Sequence, residues 1–280
     1  MFRPLILISN DDGYKSKGIS ELVRMICHLG DIIVCAPEEV QSGKSRAFTM
    51  TELTVRKIKE QKNVQGTECW YACSGTPVDC MKVAINKLCP RKPDLVIGGI
   101  NHGDNASTNT HYSGTTGIAF EGTVKRIPSI AFSLCDYSPE ADFSCMEEHV
   151  VAICKYVLEN GLPEYTFLNV NCPKATSKSE IKGLRVCRMA HGEWMKEVVE
   201  SDSVDSLSPS SIEVDNSLYG RYLLRGYYLN NEPERTDTDN WAISNGFLAV
   251  TPTTIDITAF DFLDTLSMSL CGVHVLGNNT

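Results

Sequence analysis

Leu5-Ile6-Leu7-Ile8-Ser9-Asn10-Asp11-Asp12-Gly13 is the stretch whose reading decides the fold. Four branched apolar residues run without interruption into two adjacent carboxylates and a glycine. A continuous apolar run of this length fits a central strand buried on both faces. Asn10, Asp11 and Asp12 then fall at the carboxyl end of that strand, the edge where open α/β sheets bind ligands. Two neighbouring ionised carboxylates repel each other, and in a dry site one of them would protonate. A divalent cation removes the conflict, and hard cations prefer oxygen. The alternative is a plain Asp-Asp-Gly surface turn.

The next segment supports the strand. Ile19, Leu22, Val23, Ile26 and Leu29 mark one helix face over 16–29, and Gly30 ends it. Asp31–Ala36 is a second buried strand stopped by Pro37, so the unit is strand, helix, strand with a right-handed crossover. The polar loop from Glu38 to Ser45 leaves this strand on the edge that holds Asp11 and Asp12. Ser42 can offer its hydroxyl there, although Ser-Gly-x-Ser alone is a loop signature. One or two strands are expected over 47–58, a polar connection over 59–68, and a strand at Cys69–Cys73. A helix follows to about Leu88, with Thr76 as N-cap, Pro77 in its first position and Asp79 at its positive end. That cap reads first as purely structural.

Asp94–Ile100 is a further buried strand that runs into Asn101-His102-Gly103-Asp104-Asn105. A helix opening at Ser113 carries hydroxyls and glycines in its first turn, where amides and the helix dipole favour an anion. An ordinary serine N-cap is the alternative. The gap between 101 and 113 leaves room for a lid. A strand is expected at 128–134, an amphipathic helix at 144–160 closed by Gly161, and a strand at 167–171. Residues 174–246 are more polar and read as a β-rich extension, with strand-like pieces at 184–188 and 221–229 and a loop near 200–216. Tyr219, Tyr222, Tyr227 and Tyr228 suit either a subunit interface or burial in the same chain. A return to the core sheet at 247–252 and a terminal helix at 259–268 complete the chain. His102, His111 and His191 each lack a second histidine at ligand spacing, and a lone loop histidine reads as a surface or hydrogen-bonding residue.

The chain has 280 residues, 42% hydrophobic and 22% charged, enough for one large domain or two modest ones. A formal net charge of −9 argues against a general nucleic-acid surface, duplexes included. No run approaches the length of a membrane span, and the N-terminal apolar run is too short for a signal-peptide core. The 12 cysteines are scattered without a Cys-x-x-Cys pair and read as small buried hydrophobes in a reducing cytoplasm.

Asp11, Asp12, Ser42 and Asn101 are all oxygen donors, all expected near strand ends on one edge. That set suits Mg²⁺ or Mn²⁺ and not zinc or copper. A phosphate would complete such a site, held at the Ser113 helix start, and the ion would polarise it. Asn10-Asp11-Asp12-Gly13, Ala36-Pro37 with Ser42-Gly43-x-Ser45, Ser74-Gly75-Thr76-Pro77-x-Asp79, Gly99-Ile100-Asn101-His102-Gly103-x-Asn105 and Tyr112-Ser113-Gly114-Thr115 together resemble the SurE family of survival-protein nucleotidases. Gly246 through Val250-Thr251-Pro252 and Asp256-Ile257-Thr258 resemble that family's closing segment, so the likeness spans the whole chain in order.

The resemblance implies a Rossmann-like three-layer α/β/α fold with a mostly parallel central sheet. It implies a single domain, core 1–173 and 247–280, with 174–246 a protruding β-rich segment used in forming a homodimer or homotetramer. It implies a divalent-metal-dependent phosphatase acting on nucleoside 5′- and 3′-monophosphates, and also trimming short polyphosphate. Asp11, Asp12, Ser42 and Asn101 match the family's metal ligands, for one ion per subunit. Asn105, Ser113, Gly114 and Thr115 match its phosphate-holding region. The expected chemistry has a water activated at the ion, Asp12 assisting as base and Asn105 orienting it. One departure is that Asn240-Trp241 follows Asp237-Thr238-Asp239 where many members carry a histidine; Trp241 would pack on a base or fill the core. Two rivals remain: a receiver-type phosphorylation switch, and a non-catalytic metal- or nucleotide-binding regulator. A serine hydrolase lacks its Gly-x-Ser-x-Gly elbow.

Overall fold

The computed structural model describes residues 3–58, 68–138, 140–175, 177–200 and 221–271. Its strands are β1 (Leu5–Ser9), β2 (Asp31–Pro37), β3 (Val55–Lys57), β4 (Glu68–Cys73), β5 (Leu95–His102), β6 (Ser129–Leu134), β7 (Thr166–Cys172), β8 (Leu184–Val186), β9 (Gly192–Met195), β10 (Val198–Glu200), β11 (Tyr222–Leu224), β12 (Tyr227–Asn230) and β13 (Leu248–Thr254). Its α-helices are α1 (Lys17–Ile26), α2 (Pro77–Val83), α3 (Gly114–Val124), α4 (Glu147–Asn160), α5 (Asp239–Ser244) and α6 (Phe260–Cys271).

Among the described residues, one sheet runs in the order β3-β4-β2-β1-β5-β6-β7-β13-β8. Its six central strands, β4-β2-β1-β5-β6-β7, are parallel throughout. Numbered among themselves in chain order, they read 3-2-1-4-5-6, the doubly wound arrangement whose switch point lies between β1 and its later neighbour. Here that point is the β1–β5 junction. The architecture is therefore the expected three-layer α/β/α. A receiver-type module has the other order, 2-1-3-4-5, so this topology argues against that rival.

The alternation along β1 shows why a solid apolar run was needed. Ile6 and Ile8 face the layer of α1 and α4, with Leu22, Ile26 and Val150. Leu5 and Leu7 face the other layer, with Met81 of α2 and Ile118 of α3. Every side chain of the run is buried, and each contributes about 1.5–3 kcal/mol. Local signals fix the flanks. Thr76 is the N-cap, with Pro77 in the first position and Asp79 in the first turn, as expected; Thr76 and Asp79 also close a reciprocal capping box, and the helix continues in π geometry over Ala84–Leu88. Gly161 closes α4 at φ +69°.

The structure differs from expectation at several places. Helix α1 is shorter than 16–29, because the chain turns at Cys27. Of 47–58, only Val55–Lys57 pairs, as an antiparallel edge strand on β4. Residues 59–67, the 201–216 part of the expected loop, and Tyr219 lie outside the described residues. The 101–113 stretch contains a 3-10 turn at Ser107–His111, and Asn169 and Asn171 of β7 hold its Asn105. It is fastened to the sheet, not a free lid.

The segment 174–246 does not protrude as a whole. Strand β8 joins the main sheet beside β13, and α5 packs against β13. Among the described residues, its strands outside the main sheet form two antiparallel pairs, β10–β11 and β9–β12. Sequence periodicity could not separate a three-residue strand on the core edge from similar strands in an appendage.

Candidate active site

Strand β1 ends at the switch point, and the next residues turn sharply. Asn10 Nδ2 donates to the Gly13 carbonyl at 2.9 Å and to Ser16 Oγ at 2.7 Å. Gly13 sits at φ +89°, a conformation open to glycine. The turn leaves Asp11 3% exposed, directly over the start of α3. There the Gly114 N–H donates to Asp11 Oδ2 at 3.2 Å, and Thr115 Oγ1 donates to Asp11 Oδ1 at 2.5 Å. A Cβ on Gly114 would lie 2.8 Å from Asp11 Cβ, so only glycine allows this approach. Asp12 is half-buried, and its Oδ2 accepts from the His102 N–H at 3.3 Å.

Burial raises both carboxyls. Asp11 is pushed from 3.8 to about 6, chiefly by desolvation, opposed by the Thr115 bond and reinforced by the Asp12 charge. Asp12 is raised as well, again by desolvation. Among the described residues no lysine or arginine pairs with either one. A buried carboxylate next to a half-buried one, neither with a counter-charge, is the environment a cation relieves.

The remaining expected donors converge from neighbouring strand ends. Asp11, Ser42, Asn101, Asn105 and Ser113 line one cavity of about 410 Å³, whereas Asp12 is not among its lining residues and reaches it only through its bond to the His102 N–H. The Ser42 loop is tied in by Gln41 N–H donating to the Asp11 carbonyl at 2.7 Å. The β5–β6 register shifts between Gly98 and Asn101, which brings Asn101 to the rim. Asn101 Nδ2 donates to the Gly103 carbonyl at 2.9 Å, leaving Oδ1 for a cation. Asn105 is buried, with Nδ2 donating to Ser133 Oγ at 2.8 Å. Ser113 caps α3 by accepting from the Thr116 N–H at 3.1 Å, which leaves its own hydroxyl proton free to donate. No three of His, Cys, Asp and Glu gather into a metal cluster among the described residues, so a centre here would rest on two carboxylates plus neutral oxygens. That donor set fits a hard divalent cation.

Two of the expected phosphate-holding residues are placed differently. Gly114 and Thr115 are turned to Asp11, and neither lines the cavity. Asn105 and Ser113 do line it. Sequence reasoning missed Asp104, Tyr112, Tyr137 and Trp194 on the same wall. For Trp194 no local signal existed, because it arrives from β9 and is anchored by its Nε1 donating to Asn109 Oδ1 at 2.8 Å. His102 also lines the cavity, set edge-on to Phe143 with centroids 4.9 Å apart, whereas His111 and His191 are exposed. Trp241 stacks on Phe247, with Arg185 over its ring, so it fills a packing role and lines neither this cavity nor the one beside it.

The fold and site define a doubly wound α/β protein with an acidic, oxygen-donor centre at its topological switch point. The model of the family "Survival protein SurE" matches residues 6–196. A 5′-nucleotidase SurE of Bacteroides fragilis is 47% identical over 264 residues, 94% of this chain and 96% of that protein. One from Bacteroides thetaiotaomicron is 43% identical over 266 residues, covering 95% of each. The crystal structure of the SurE protein from Aquifex aeolicus superposes with a TM-score of 0.76 at 34% identity, covering 95% of this chain and 99% of that one. The chain belongs to the SurE family.

Proposed function

We propose that this protein is a divalent-metal-dependent nucleotidase that hydrolyses nucleoside 5′-monophosphates to nucleoside and phosphate. The observation that carries the reading is buried Asp11, which lines the cavity, next to half-buried Asp12, neither paired with a lysine or arginine, with the capped start of α3 on the same cavity. Relatives named 5′-nucleotidase SurE over nearly the full chain support the substrate. Asp11, Asp12, Ser42 and Asn101 would hold one Mg²⁺ or Mn²⁺ per subunit, which when bound would neutralise phosphoryl charge and polarise the ester. Ser113 Oγ–H donates to a phosphoryl oxygen, and Asn105 orients the attacking water. Asp12 takes the proton of that water as its oxygen bonds to phosphorus, then returns it to the departing 5′ oxygen. Asp11 stays locked by Thr115 and Gly114 and does not move.

The same site would accept 3′-monophosphates and short polyphosphate, because the phosphoryl group alone engages these donors. Among the described residues no helix is long and apolar enough to cross a membrane, and the described cysteines, Cys27 through Cys187, are free thiols, which supports work in the cytoplasm. The exposed apolar side chains of α6, such as Phe262, Leu266 and Leu270, support a homodimer or homotetramer. The test is phosphate release from a nucleotide panel with Mg²⁺ or Mn²⁺, before and after chelation. Release is expected only with the ion. Equal rates in chelator would remove the metal, and nucleotide binding without release would return the chain to the regulatory reading.

A further inference from the structure

Strands β6 and β7 carry polar side chains where a strand covered on both faces calls for apolar ones. On one face, Ile130, Phe132 and Leu134 of β6 and Leu168, Val170 and Cys172 of β7 pack into the layer of α1 and α4. On the other face stand Ser133, Asn169 and Asn171, all fully buried. Asparagine is disfavoured in strands, and a buried amide is costly unless its groups are bonded. None of the three lines the phosphate cavity.

Their bonds converge on one residue that does line it, Asn105. Asn171 Oδ1 accepts from the Asn105 N–H at 2.8 Å. Asn171 Nδ2 donates to Asn169 Oδ1 at 3.1 Å, and Asn169 Nδ2 donates to the Asn105 carbonyl at 2.8 Å. The order is forced at both ends. A peptide N–H only donates and a carbonyl only accepts, so each amide of the chain has one orientation. Thr110 Oγ1 donates to the same carbonyl at 2.8 Å. Ser133 stands beside Asn171 in register and accepts from Asn105 Nδ2 at 2.8 Å. Main chain and carboxamide of Asn105 are therefore both held. Among the described residues, none bonds its Oδ1. Bonds to the main chain alone would suffice to fasten the loop. The bond from Ser133 adds a hold on the side chain, and that direction matters where Oδ1 has a group to meet.

We propose that Ser133, Asn169 and Asn171 are positioning residues that aim the Asn105 carboxamide at the attacking water. Ser133 sets the plane of the side chain, and the two asparagines of β7 fix the main chain beneath it. This rests on the nucleotidase reading and deepens it, naming what keeps Asn105 in a near-attack geometry.

The test is a double-mutant cycle with Asn105→Ala, read as phosphate release from a nucleoside 5′-monophosphate by the metal-loaded enzyme. Ser133→Ala is expected to lower kcat about 10- to 100-fold, with KM and the half-saturating Mn²⁺ concentration little changed. In the Asn105→Ala background the same change should cost less than about 2-fold more, because its effect travels through Asn105. Asn171→Ala should follow the same pattern with an added loss of thermal stability. Thr251→Val is the control. Its hydroxyl is buried and unbonded, on β13 beside Asn169 in register, and its removal should leave kcat unchanged. In the metal-free protein, the side-chain amide protons of Asn105, assigned in NMR spectra by their loss in Asn105→Ala, should exchange with solvent several-fold faster in Ser133→Ala than in the wild type. Equal fold losses with and without Asn105, a raised KM with kcat intact, or unchanged exchange would overturn the positioning role and leave an active nucleotidase standing. Absence of phosphate release by the wild type from any nucleotide would overturn the nucleotidase, and the positioning role with it.

Discussion

Thr115→Val separates two roles for one hydroxyl. Thr115 Oγ1 donates to Asp11 Oδ1 at 2.5 Å, in a position closed to solvent. Valine keeps the shape and removes the donor. A hydrogen bond to a charged acceptor contributes about 1.5–3 kcal/mol. At about 1.4 kcal/mol per pH unit, its loss raises the Asp11 pKa by roughly 1–2 units above the value of about 6 in the metal-free protein.

The sign follows from linkage. Asp11 titrates near 3.8 when unfolded and near 6 when folded, so the folded state binds the extra proton between those values. Metal-free stability therefore falls as pH rises through that window and levels off above it. In Thr115→Val the fall continues to higher pH. The variant should match the wild type within a few tenths of a kcal/mol near pH 4 and be about 1.5–3 kcal/mol weaker above roughly pH 8. Denaturant unfolding in chelator at the two pH values measures this. In parallel, the Mn²⁺ concentration needed for half-maximal activity should rise, while inhibition by inorganic phosphate at saturating metal stays unchanged. The reverse pattern, weaker phosphate inhibition with unchanged metal activation, would refute the assignment and put the hydroxyl on the substrate.

Two further changes probe the same scaffold. Gly114→Ala places a Cβ 2.8 Å from Asp11 Cβ, so the carboxylate must shift; kcat/KM should fall about 100-fold or more while circular dichroism stays native, with an overpacking loss of about 1–3 kcal/mol by thermal unfolding. Asp239 is fully buried and accepts from the N–H groups of Ser107 at 2.8 Å and Ala190 at 2.9 Å. Asp239→Asn turns one acceptor into a donor facing an amide, which should lower stability by about 1–3 kcal/mol as read by denaturant unfolding.

Much of the molecule was written locally. The apolar run at Leu5–Ile8 announces a strand covered on both faces, and the residues after it are placed by chain connectivity alone. Thr76, Pro77 and Asp79 signal a helix start within four residues. Gly161 signals an end. Such features depend on neighbours in sequence, so they survive being read without coordinates. The oxygen donors Asp11, Ser42 and Asn101 were legible for a related reason: a parallel sheet puts the carboxyl ends of its strands on one edge.

Direction and distance were not legible. Thr115 and Gly114 look like phosphate-binding residues in a helix first turn, yet the packing of α3 on β5 and β6 sets that turn against Asp11 and turns their donors onto its carboxylate. Trp194 lies over 180 residues from Asp11 in the chain and reaches the site only because β9 pairs with β12 and its indole bonds Asn109. Helix α5 is six residues long, too short for its periodicity to register. The sequence by itself determined the doubly wound core, the switch-point turn and the donor types, because each follows from short-range pattern and chain direction. Only the tertiary structure decided which of those donors face the cavity, which serve Asp11, and which distant strand pair brings Trp194 to it, because those outcomes depend on packing between elements far apart in the chain.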